Sequence, residues 1–103
     1  MDIDIKKLKK NTKILVETES SIYEIIVSSQ KTGMVQVSGG KSFLRPVKAK
    51  IQDSKIGKFK QIIFFYKDQN KPKEVRTSRV LSARIYGADG SWHFDAIENE
   101  NSD

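Results

Sequence analysis

Hydrophobic and polar positions alternate along much of this chain with the period of two that places successive side chains on opposite faces of a β-strand. Lys13-Ile14-Leu15-Val16-Glu17-Thr18 reads as a strand rich in β-branched residues. Glu19-Ser20 supplies a turn, and Ser21 to Ser28 reads as the second arm of a hairpin. A polar loop ending at Gly33 leads into Met34-Val35-Gln36-Val37-Ser38, and Gly39-Gly40 is the next chain reversal. From Phe43 the alternation is clear: Phe43, Val47, Ala49 and Ile51 fall on one side, Leu44, Lys48, Lys50 and Gln52 on the other. Pro46 has no N–H to give a ladder, so this strand belongs at an edge or carries a bulge.

Gln61-Ile62-Ile63-Phe64-Phe65-Tyr66 is the most apolar run and predicts a strand covered on both faces, near the middle of the fold. Asp68 to Lys73 reads as a turn, followed by strands over 74–80 and 82–86. Asp89-Gly90 is a hairpin signal ahead of a last strand, 92–97. The pattern predicts an all-β fold, a small antiparallel barrel or sandwich of about seven or eight short strands, with the barrel preferred because closure hides sheet edges. Residues 1–12 form an arm or short helical turn, 13–97 a single domain, and 98–103 a disordered acidic tail.

Composition narrows the function classes. The chain has 103 residues and no cysteine, which excludes disulfide frameworks, thiolate metal sites and cysteine nucleophiles, and fits a cytoplasmic setting. The start, MDIDIKKLKKNTK, lacks the apolar run of a signal peptide, and no stretch approaches the ~20 apolar residues of a membrane helix, so no membrane partner is expected. The net charge of +6 is regional. Residues 41–60 carry Lys41, Arg45, Lys48, Lys50, Lys55, Lys58 and Lys60 against Asp53 alone, whereas from Ile85 onward there are five acids and no Lys or Arg.

The stretch Val37-Ser38-Gly39-Gly40-Lys41-Ser42 ends like a phosphate-binding loop, but that motif needs a glycine at position 35, which is Val35, and a helix afterwards, where Pro46 stands. A tight turn explains it better. The single histidine, His93, alternates away from Trp92 and Phe94 and reads as a surface residue; no carboxylates have metal-loop spacing, and Asp89-Gly90-Ser91 reads as a turn. No enzyme, metal or cofactor is expected.

What remains is the basic stretch. Lysines gathered on one face attract polyanions, and Phe43 and Phe59 among them would stack on bases if exposed. The competing explanation is an ordinary wet face of a strand. The leading expectation is a non-enzymatic binding module that engages an acidic partner, a protein or a nucleic acid, through Lys41, Arg45, Lys48, Lys50, Lys55, Lys58 and Lys60. The alternative is a barrel that holds a small molecule in a pocket lined by Tyr23, Phe64, Tyr66 and Trp92.

Three short motifs carry a family resemblance: Thr18, Ser21, Tyr23 and Glu24 in T-x-x-S-x-Y-E; Gly39, Gly40, Lys41 and Phe43 in G-G-[KR]-x-F; Thr77, Ser78 and Val80 in T-S-x-V. Over about residues 13–85 the chain resembles a group of short bacterial all-β proteins with no known activity. Arg79 departs from the pattern, standing where a proline is expected. The resemblance implies an all-β fold and no particular chemistry.

Overall fold

The computed structural model describes residues 2–99. Its strands are β1 (Ile3–Asp4), β2 (Lys13–Thr18), β3 (Ile22–Ser29), β4 (Met34–Gly39), β5 (Phe43–Ile51), β6 (Lys55–Ile56), β7 (Gln61–Asp68), β8 (Lys71–Tyr86) and β9 (His93–Ile97). Single 3-10 turns, Ile5–Lys7 and Gln52–Ser54, are the helical elements among the described residues. The expected acidic tail lies outside the described residues from position 100 on.

The fold is an antiparallel sheet in the order β2-β3-β4-β5-β7-β8-β9, and a further β2–β8 pairing bends six of its strands into a nearly closed ring. Closure depends on the length of β8. Its second half pairs with β2, Lys13 against Tyr86 and Val16 against Ala83, while its other edge holds β7 along the first half and β9 along the second. The backbone at the crossover separates the two edges: the Val80 N–H donates to the Lys60 carbonyl on the β7 side, and the Arg79 carbonyl accepts from the Glu19 N–H on the β2 side.

Register follows from burial. The cross-strand pairs Ile14–Ile25, Val16–Tyr23, Ile25–Val37, Val35–Ala49 and Ile51–Phe64 all join inward-facing residues. A slip of one residue would turn each set to water. β1 and β6 pair as a small ribbon, Ile3 against Ile56, and add Ile3, Ile5 and Ile56 to the same core. Elsewhere in that core Phe43 meets Phe64 at 5.4 Å and Tyr66 at 5.5 Å, both edge-on.

Three sequence expectations need correction. β7 is covered on one face only: Ile62 and Phe64 are buried, but Phe65 is 41% exposed, because a single-layer ring has no second layer outside it. The strands expected over 74–80 and 82–86 are one strand of 16 residues. The turn expected over 68–73 is shorter, since Asp68 pairs with Lys71 and the reversal is made by Gln69 and Asn70, both at positive φ (51° and 64°), as a two-residue type I′ turn requires. The resulting β7–β8 tip is exposed on both faces from Lys67 to Glu74, so it projects from the ring as an arm.

A bulge sets the root of that arm. Between Gln61–Arg79 and Ile63–Arg76, β8 has an extra residue, so Ile62 has no residue paired with it across the ladder and its N–H turns to a side-chain partner. The buried Thr77 supplies one: its Oγ1 accepts from Ile62 N at 2.9 Å and donates to the Ser78 carbonyl at 2.6 Å.

Candidate binding groove

The ring is weakest between β5 and β7. Those strands pair only at Lys50–Phe65 and Ile51–Phe64. Past that point they splay, so that Phe43–Ala49 of β5 and Tyr66–Asp68 of β7 have no ladder partner on their facing edges. The local sequence accounts for this. β5 is bulged against β4 between the Val37–Val47 and Gly39–Phe43 pairs, Pro46 interrupts its donors, and the arm carries β7 away from the ring.

The splay opens a groove of about 580 Å³. Met34, Val47, Lys48, Ala49 and Lys50 form the β4–β5 wall; Phe65, Tyr66, Lys67, Pro72 and Lys73 form the wall on the arm. The lining is apolar apart from four lysines and the Tyr66 hydroxyl, and it contains no carboxylate. Lys48, Lys50, Lys67 and Lys73 make no ion pair among the described residues. Glu74, next to Lys73 on the arm, is held by Arg76 at 2.7 Å. The positive charge of the groove is therefore not neutralised by another described side chain.

The seven basic residues expected to act together are divided. Lys48 and Lys50 line the groove; Lys41 is exposed in the Gly39-Gly40 turn region, and Arg45 is exposed on β5. Lys55 and Lys60 line a separate hollow of about 190 Å³ that also contains Asp2 and Asp53. The chain turns there because Asp53 and Ser54 both take positive φ (59° and 54°), which directs Lys55 away from the line of β5. The Lys58 ammonium lies 5.2 Å from the ring centre of the exposed Phe59, while Phe43 is buried. The two hollows share the outward face of β7, with Ile63 in the smaller and Phe65 in the larger.

Sequence reasoning missed Phe65, Lys67 and Lys73 of the groove, along with Met34, Val47, Ala49 and Pro72. A signal for those on the arm existed: a hairpin closed at Asp68–Lys71 puts Lys67 opposite Pro72 and extends the alternation Ile63, Phe65, Lys67 along one face.

Three residues of the alternative pocket come together and the fourth does not. Tyr23, Phe64 and Tyr66 gather around Phe43, where their rings fill the core. Trp92 stacks on Phe94 at 5.9 Å and lies close against Gly87, beyond the far end of β2 from Tyr23. The Gly39-Gly40 pair is a turn into a strand: a side chain on Gly39 would collide with the Ile22 carbonyl, and one on Gly40 would meet the Tyr23 ring at 2.9 Å. His93 is exposed and stacks on Tyr86, and Asp89 Oδ1 accepts from both the Ser91 N–H and its hydroxyl. Among the described residues no three His, Cys, Asp or Glu side chains are grouped to hold a metal ion.

No protein-family model matches this chain, and no curated protein or solved structure is significantly similar to it.

Proposed function

We propose that this protein is a non-enzymatic β-barrel binding module that engages an acidic partner through the groove between β5 and the β7–β8 arm. The observation that supports it is the combination in one cleft of Lys48, Lys50, Lys67 and Lys73 with apolar walls and no lining carboxylate. An apolar cleft rimmed by cations favours a ligand that brings both carboxylates or phosphates and apolar surface.

The test is fluorescence anisotropy with two labelled probes, an oligoglutamate peptide and a single-stranded oligonucleotide, at low and high salt. At least one should bind, with affinity falling as salt rises and falling further in the Lys48→Glu, Lys73→Glu double variant. Absence of binding at low salt, or binding that the double variant leaves unchanged, refutes the proposal.

A further inference from the structure

We infer that the groove takes an extended acidic peptide as a guest strand that completes the ring at the β5–β7 seam. This inference rests on the reading of the groove as an acidic-partner site and names the partner's chemistry. Its first support is the backbone. Phe43–Ala49 of β5 and Tyr66–Asp68 of β7 present facing edges without ladder partners, separated by a cleft rather than covered by another element. An added strand gives such edges their missing partners, with side-chain pockets reading alternate residues. Because β5 and β7 run antiparallel, the guest is parallel to one and antiparallel to the other.

The second support is which side chains face which way. Lys48, Lys50, Phe65 and Lys67 point outward, whereas Ala49 and Tyr66 belong to the inward-facing set and Val47 packs against the core. A strand between them turns one face to Val47 and Tyr66, with Lys73 beside Tyr66, and the other to Lys48, Lys50 and Lys67. The guest is therefore an alternation of apolar and acidic residues. Pro46 and the bulge beside it shorten the usable β5 edge to Val47–Ala49, across from Tyr66–Asp68, so the guest pairs over a short segment, the length of an ordinary short strand at most.

A nucleic acid fits less well. Single-stranded nucleic acids are held by successive exposed rings, and among the groove-lining residues only Phe65 offers one; the rest of the floor is aliphatic, with Tyr66 half-buried.

The experiment uses the full chain and four labelled probes at low salt: a hexapeptide alternating valine and glutamate, one of the same composition in two blocks, the alternating peptide N-methylated on alternate backbone nitrogens, and a single-stranded oligonucleotide. The alternating peptide should bind about tenfold or more tighter than the other peptides, the effect of one or two net backbone hydrogen bonds. Its binding should slow amide exchange in Val47–Ala49 and Tyr66–Asp68, and Lys48→Glu with Lys50→Glu should abolish it. Equal binding of the three peptides, or preference for the oligonucleotide, overturns the guest strand while leaving the acidic-partner reading intact. Binding of none of the probes overturns both.

Discussion

Thr77 carries a structural duty that no other side chain in the β7–β8 ladder takes on, and its loss has a calculable effect. Thr77 is 2% exposed and its hydroxyl is the acceptor for Ile62 N–H, itself buried, at the bulge. Thr77→Val keeps the branched shape and removes the acceptor. The Ile62 amide then stays buried without a partner, which costs about 1–3 kcal/mol. For a domain of this size the melting temperature should fall by roughly 5–20 °C. Thr77→Ser retains the hydroxyl and loses one methyl, about 0.8 kcal/mol. Urea unfolding followed by circular dichroism measures all three proteins. A Thr77→Val midpoint equal to wild type, or a Thr77→Ser protein destabilised as much as Thr77→Val, would refute the hydrogen-bond argument.

Other perturbations separate further parts of the fold. Gly39→Ala meets the Ile22 carbonyl at a φ of 117° and should lose about 3 kcal/mol or more in urea unfolding, whereas Gly90→Ala, at φ 74° with nothing within 4 Å, should lose only about 1–2 kcal/mol. Hydrogen bonds from Arg79 hold the Glu19 carboxyl below its ordinary value. The stability they contribute is therefore present above the unfolded-state pKa and is lost as pH falls through the lower folded value, so the difference in urea midpoint between wild type and Glu19→Gln should shrink on acidification. Replacing residues 67–72 with Asn-Gly removes an arm exposed on both faces; stability should stay within about 1 kcal/mol of wild type while binding to the acidic probe is lost.

The ring was legible in the sequence because one face of each strand is dry and the other wet, and that contrast is written residue by residue in Lys13–Thr18 and Phe43–Ile51. Phe65 was misread for the same reason. An outward aromatic beside a groove looks, in a linear pattern, like an inward one. The division of the basic stretch was not legible, since nothing in the spacing of Lys48, Lys50, Lys55 and Lys60 encodes the left-handed turn at Asp53 and Ser54 that separates them. Lys67 and Lys73 join the groove through a strand splay, a tertiary event that depends on Pro46 and on where the ladder between β5 and β7 stops.

The β2–β8 closure also orders events during folding. Every other strand pair in the seven-stranded sheet joins strands close along the chain, only β6 intervening between β5 and β7, but Thr18 meets Val80 and Lys13 meets Tyr86, partners 62 and 73 positions apart. Local hairpins therefore assemble first, and the most distant pairing bears the largest loop-closure entropy. On the ribosome β2 waits with one edge open until the second half of β8 has emerged, which makes that edge the place where a stalled or truncated chain meets its first wrong partner.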